Sequence, residues 1–570
     1  MDKSPTTTDT VSISQDVIPS SANPLINCYI ARLPAELIVL TFKLLAPIYH
    51  ARGHSGSPRL GWIVVTHVCR HWRQIALSNS SLWCKIDERF ATEFLEEQLR
   101  RSGASPISWW FGTSPNSHKI ALLKQHTGHL GRLQISDFDD QPDLDTFVET
   151  GLTQPAPLLR DFEIMESPHW RGRALRALPS NLFAGCTPNL RRLCVYGAWL
   201  PWLLPDLKAL VELEVNALPG NDPTIVPPEL TSSPNTSHAV STCSLIFDAL
   251  RQMRSLRKLK LQNCLSASFG GSSTHADDMA DMPYLEDLIL SGEPIACSQV
   301  TEFIKIPQAC KLTLYCLLDS NASIRDTDFI PPLLCRRASS AKYDFSILFS
   351  TTRLNVVVRE FSKDDRQIPT HAHHQLGSSR TRCADIQIVC RGRATLPQDW
   401  CTFTLISRLC GAFPKGQVDT LSLLWTGGSD FKHYPHWQDT FKLHPGVKHL
   451  RLCLSSLIML ITTWSPEIHK EWALLFGQEA LTGDVIFPHL QSLSLRFLPR
   501  DSKISRFSLN GALLQALVAR KNAGLVLQEL CFLDCKKEPE RLADFKDIIR
   551  TVHWEKEDNT KWKFTAAAWQ

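Results

Sequence analysis

Leu190-Arg191-Arg192-Leu193-Cys194-Val195, Leu210-Val211-Glu212-Leu213-Glu214-Val215 and Leu256-Arg257-Lys258-Leu259-Lys260-Leu261 are three copies of one sextet. It reads apolar, two variable positions, apolar, one variable, apolar. Its last two apolar residues stand two apart, so on a strand they point to the same face. The sextet recurs at Leu130, Leu133 and Ile135, at Leu159, Phe162 and Ile164, and at Leu285, Leu288 and Leu290. Later copies are Val418, Leu421 and Leu423; Val447, Leu450 and Leu452; Leu490, Leu493 and Leu495; and Leu527, Leu530 and Phe532. One sextet arises by chance. Ten copies, several of them about 20–29 residues apart, describe units that each bury one apolar face only by stacking on a neighbour. Two copies add a small residue three positions on, Cys264 and Cys535, where a turn is capped. Residues 319–415 keep only fragments such as Ile386 and Ile388, and segments 219–238 and 266–281, rich in Pro, Ser and Asn, read as surface insertions.

Ahead of the sextets the pattern is helical. Leu33-Pro34-Ala35-Glu36-Leu37 opens with a proline tolerated in a first turn, and Leu37, Ile38, Phe42 and Leu45 follow as an apolar stripe. A Gly/Ser/Pro loop covers 50–59. Val65, Val68, Cys69, Trp72 and Ala76 then recur at helical spacing and predict one amphipathic helix. Residues 78–81 form a turn that delivers Leu82-Trp83. Residues 92–101 predict a further helix, acidic early and basic late, ended by Gly103.

The 570 residues, 43% hydrophobic and 21% charged, fit a globular chain with more than one core or an elongated array. A formal charge of +4 gives no overall basic field of the kind nucleic acid or an anionic membrane would require. The 18 cysteines are irregularly spaced and many sit in apolar runs, so reduced thiols and a cytoplasmic or nuclear location are expected. Residues 1–27 read as a disordered tail, without the features of a signal peptide. No apolar run reaches the length of a membrane helix.

The order Leu33-Pro34-Ala35-Glu36-Leu37, then Val68-Cys69-Arg70-His71-Trp72-Arg73, then Leu82-Trp83 resembles the F-box-like domain found in large fungal, basidiomycete-type protein families. Residues 95–103 resemble the linker helix of those proteins. The resemblance covers about 60 residues, the size of a small module that is marginal alone, and the loop at 50–59 is longer than in a minimal F-box. It implies a partner, the Skp-type adaptor of a cullin–RING ubiquitin ligase. By match to the motif, Leu33, Pro34, Leu37, Ile38, Phe42, Val68, Trp72 and Trp83 build the partner-binding module. Leu33, Pro34 and Ile38 are the expected direct contacts, with Trp72 and Trp83 in the core.

The expected fold class is thus α/β in the wide sense (α+β), a helical F-box-like module followed by an irregular leucine-rich-repeat-like solenoid. Its expected parts are the tail at 1–27, the F-box-like domain at 28–90, a linker helix at 91–105 and a client-binding region at 106–570. The expected function is non-catalytic recruitment of an unknown client protein to the ligase, without cofactor, metal, nucleic acid or membrane. Arg192, Glu212, Glu214, Lys258, Lys260, Asp287, His449, Arg451, Arg496 and Glu529 occupy the variable strand positions and are candidates to face the client. Two other readings compete: a scaffold whose F-box-like helices are a remnant cap, and a hydrolase or metal enzyme gathering His371, His373 and His374 with distant acids or cysteines. The chain carries no phosphate-binding glycine loop, no Gly-x-Ser-x-Gly elbow and no His-Glu-x-x-His.

Overall fold

The computed structural model describes residues 33–48, 60–112, 117–136, 147–165, 176–202, 207–216, 239–265, 279–318, 324–337, 343–349, 353–360, 382–390, 408–413, 416–425, 443–453, 487–496, 513–514, 517–518, 520–535 and 542–556. Helices α1 (Ala35–Ile48) and α2 (Arg70–Ser78) lead into strand β1 (Lys85–Asp87). Helix α3 (Thr92–Ser102), β2 (Ile107–Phe111) and α4 (Ser117–His126) follow. The next strands are β3 (Leu130–Ser136), β4 (Asp161–Met165), β5 (Arg176–Ala177), β6 (Arg192–Tyr196), β7 (Ala198–Trp199), β8 (Glu212–Asn216) and β9 (Lys258–Leu265). Then come β10 (Ala280–Asp281), β11 (Asp287–Gly292), β12 (Ile304–Lys305), β13 (Lys311–Leu318), β14 (Tyr343–Phe349), β15 (Arg353–Glu360) and β16 (Arg382–Cys390). The last are β17 (Val418–Trp425), β18 (His449–Cys453), β19 (Ser492–Arg496), β20 (Glu529–Cys535) and β21 (Thr551–Lys556).

Seventeen of these strands form one sheet; β5 with β7 and β10 with β12 make two small parallel pairs beside it. From β1 to β13, and again from β17 to β21, sheet neighbours are parallel. Between these halves β14, β15 and β16 run as an antiparallel meander laid in reverse, β16 against β13 and β14 against β17.

Register puts the sextets' apolar residues in columns. Leu133, Phe162, Leu193, Leu213, Leu259, Leu288 and Leu312 stand opposite one another strand by strand, and all are buried. This apolar face forms the main core with Ala249 and Leu250 of the helix Ala239–Gln252, Val300 and Phe303 of Pro294–Phe303, and Phe545 of Leu542–Ile548. Parallel neighbours need crossover connections, and helices in the connections cover the sheet face.

The expectation of a helical module followed by an irregular leucine-rich-repeat-like solenoid is corrected. The chain is an α/β fold organised on one large, mainly parallel sheet with helices. The sheet begins at Lys85, so it starts before the sextets do. Within 319–415, where the sextet fades, it continues through the meander β14–β16, an antiparallel unit that a stack of like repeats would not contain. The backbone of these strands is satisfied by ladder bonds whether or not the local sequence keeps the sextet, and that carries the sheet through the gap. Among the described residues no helix is long and apolar enough to cross a membrane. Most of the two proposed insertions lie outside the described residues.

Candidate functional site: an exposed apolar face on the N-terminal helices

Pro34 opens α1: its carbonyl accepts the first helical bonds from Leu37 (3.1 Å) and Ile38 (3.2 Å), and as a proline it has no N–H of its own to satisfy. Glu36 in the first turn suits the helix dipole. The single helix expected from Val65 to Ala76 is two elements. A 3-10 helix spans Gly61–His67, and α2 starts afresh after Cys69, whose backbone is extended and whose Sγ accepts the Trp72 N–H at 3.4 Å. The run Val64-Val65-Thr66 is β-branched and a poor α-helix former, which favours a break there. Arg73 Nε donates to the Thr66 carbonyl at 2.7 Å and ties the two elements together.

These helices have a core of their own, separate from the sheet's. It comprises Ile38, Phe42, Trp62, Ile63, Val65, Ile75, Ala76, Leu82 and Trp83. Phe42 meets Trp72 edge-on at 5.3 Å and Trp62 meets Trp83 at 5.2 Å, while Trp83 Nε1 donates to the Ala76 carbonyl at 2.8 Å. Helix α3 closes one side, with Arg101 over the Trp83 ring. It ends at Ser102, and Gly103 takes the positive φ of 56° that follows.

The opposite side of α1 is apolar too, and it is open. Leu37, Leu40, Leu44 and Ile48 are 48, 52, 64 and 73% exposed, with Leu33 and Pro34 exposed ahead of them. Their spacing of three or four residues lines them along one face. Soluble surfaces rarely leave such a stripe uncovered, and each of these side chains is worth about 1.5–3 kcal/mol when fully buried. Leu60, Val64 and Val68 are also exposed.

The motif residues therefore divide. Leu33, Pro34, Leu37 and Val68 are exposed; Ile38, Phe42 and Trp83 are core, and Trp72 packs against that core half-buried. Ile38, expected as a direct contact, is only 2% exposed and faces inward. Leu40, Leu44 and Ile48 hold the open face instead. Their signal was present in the sequence as the series 33, 37, 40, 44, 48.

Several of the charged strand positions expected to face a client are engaged by charges on their own sheet. One row across the sheet reads Arg132, Asp161, Arg192, Glu212, Lys258, Asp287 and Lys311, alternating in sign between neighbouring strands. Arg192 reaches Glu163 at 3.3 Å and Glu212 at 3.2 Å. Glu214 takes Lys258 at 2.7 Å, Lys260 at 3.5 Å and the Tyr196 hydroxyl. Opposite charges across strands stabilise the pairing, and a one-residue slip would turn these charges toward the apolar face. Farther along, His449 lies 3.9 Å from Asp419 and His553 3.5 Å from Glu529. The Arg496 side chain lies outside the described residues.

Burial alone would raise the Glu214 carboxyl, but hydrogen bonds from Lys258 and Tyr196 outweigh it and hold its pKa at about 2, against an ordinary 4.5. The folded value is below the unfolded one, so this contribution is present above the unfolded value and is lost as pH falls through the folded value. Stability is therefore expected to decline between about pH 4.5 and about pH 2, and Glu214→Gln to flatten that part of the profile. Urea midpoints measured in steps of pH would show an unchanged slope in the variant if the pairing were inconsequential.

For the enzymatic reading, a cleft of about 560 Å³ is lined by Ser298, Glu302, Asp326, Asp328, Phe329 and Leu333 among others. Asp328 is engaged by Arg408. Among the described residues no group of three or more His, Cys, Asp or Glu side chains could hold a metal. His371, His373 and His374 lie outside them. Burial pushes the Cys194 and Cys264 thiols up to about 12, away from nucleophilic thiolate chemistry. Trp109 is wholly buried and stacked on Phe111, so it packs and does not present a ring to solvent. No protein-family model matches the chain, and no curated protein matches it.

Proposed function

We propose that the chain is a substrate-recruiting adaptor of a Skp–cullin–F-box-type ubiquitin ligase. The N-terminal helices dock a Skp-type adaptor, and the large sheet region holds a client protein. The chain itself performs no chemistry; it raises the effective concentration of a bound client near the ligase, in the cytoplasm or nucleus. The observation that carries this reading is the two-sided α1, with Ile38 and Phe42 committed to a core and Leu37, Leu40, Leu44 and Ile48 left open. The F-box-like residue order supplies the kind of partner.

The test is co-purification with a Skp-type adaptor, comparing wild type with Leu37→Asp/Leu44→Asp. A stoichiometric complex is expected for wild type, with a loss of at least about a hundredfold in affinity for the variant, because charge replaces apolar contact at the centre of the face. Circular dichroism should show the variant folded, since neither residue is core. Failure of the wild type to bind sinks the ligase role and leaves an interaction scaffold with a helical cap.

A further inference from the structure

Residues 37–86 contain no aspartate or glutamate, although 57 of the chain's 570 residues are acidic; at that frequency about five would be expected there. The same residues hold Lys43, Arg52, Arg59, Arg70, Arg73 and Lys85. This segment alone carries +6, and the remaining 55 basic and 57 acidic residues leave the rest of the chain at −2. A chain near neutrality overall thus concentrates its positive charge in the stretch of sequence that contains most of α1 and all of α2. Lys43, Arg70 and Lys85 are exposed, as are His67 and His71. Lys43 follows Leu40 by three residues and so flanks the stripe on the helix surface. Glu36 is the single exposed carboxylate of α1.

We propose that this face docks an acidic protein surface, in which an apolar ridge meets Leu37, Leu40, Leu44 and Ile48 and flanking carboxylates meet Lys43 and Arg70. The inference rests on the adaptor reading, since it names the chemistry of the partner at that same face. Nucleic acid would satisfy the cations and leave the stripe against a polar backbone. A helix lying in a membrane interface carries its cations on its own polar face. Helix α1 has only Lys43, and the side opposite its stripe is sealed in the core by Phe42 and Trp72. An acidic protein satisfies both parts of the surface.

Charges around an apolar contact act mainly on encounter and partner choice, and salt screens them. The experiment is calorimetric titration of the full chain with purified Skp-type adaptor. Between about 50 mM and about 400 mM NaCl, wild-type affinity is expected to fall about tenfold or more. Lys43→Glu/Arg70→Glu should bind weakly at low salt and lose that dependence, while circular dichroism remains that of wild type. Affinity that is the same at both salt concentrations, in wild type and variant, overturns the charge complementarity and leaves the adaptor reading standing. Absence of wild-type binding at any salt overturns both. The third arm is sedimentation with phosphatidylcholine vesicles containing about 30% phosphatidylserine. Vesicle binding lost in Lys43→Glu/Arg70→Glu, without adaptor binding, would assign the face to a membrane and overturn the proposal.

Discussion

Trp83→Ala is expected to unfold the N-terminal helices while the sheet stays folded. The cost to those helices is about 3–5 kcal/mol, the range for removing a large aromatic from a core. Among the described residues their core has nine buried side chains, and Trp83 is the one that joins its parts. The indole packs edge-on against Trp62, lies beneath the Arg101 guanidinium of α3, and donates to the Ala76 carbonyl near the end of α2. A cavity there cannot collapse easily, because the lining comes from three separate elements, the 3-10 helix, α2 and α3. A core this small has little stability in reserve, whereas the sheet core is a separate cluster running from Ile86 to Ile549. Hydrogen exchange is the measurement. Protection should disappear from α1 and α2 and persist in β3, β4, β6 and β8. Leu44→Asp is the contrast: a large apolar residue of the same module, exposed on α1, and almost no change in protection. Equal effects from the two substitutions would mean that the open face of α1 is covered by part of this chain.

The strands were readable because the cause of the sextet is local. Burial of one sheet face requires period two, and Leu193 and Val195, or Leu259 and Leu261, record that requirement wherever it holds. The meander β14–β16 was not readable for the same reason. Val356 and Val358 alternate inward as any half-buried strand does, but nothing local says whether a strand's neighbour will run parallel or antiparallel. That choice depends on connections many residues away. The helical module shows a different limit. Helix α1 reads Leu37-Ile38-Val39-Leu40 with no polar residue to mark a side, so periodicity identifies two apolar stripes without saying which is core. Only the position of Trp62, Trp72 and Trp83 decides that Ile38 and Phe42 turn inward and Leu37 and Leu40 outward. For the charged strand positions, alternation of sign is visible along the sequence. That the alternation falls in register across strands, so that Arg192 lies between Asp161 and Glu212, requires the strand pairing itself.

Glu88→Ala carries the second large effect, at the first edge of the sheet. Glu88 follows β1 and is wholly buried. Its carboxylate accepts the Gly112 N–H at 3.1 Å and faces Lys119 Nζ at 3.2 Å; Lys119 also donates to the Glu88 backbone carbonyl at 2.5 Å. One side chain thus fastens the end of β1, the end of β2 and the first turn of α4. Removing it strips the largely buried Lys119 of its carboxylate, and breaking a buried pair from one side costs about 3–5 kcal/mol. Pairs of this kind add little when both members are exchanged for apolar residues of similar volume, so Glu88→Leu/Lys119→Met should regain most of the loss. Chemical denaturation of the two single variants and the double variant gives the coupling directly. Additive losses would show that the carboxylate acts through Gly112 alone. Strong coupling would show that the ion pair locks β1, β2 and α4 together at the first edge of the sheet. On the proposed adaptor reading, adaptor binding should survive Glu88→Ala, since Leu37 and Leu44 are untouched.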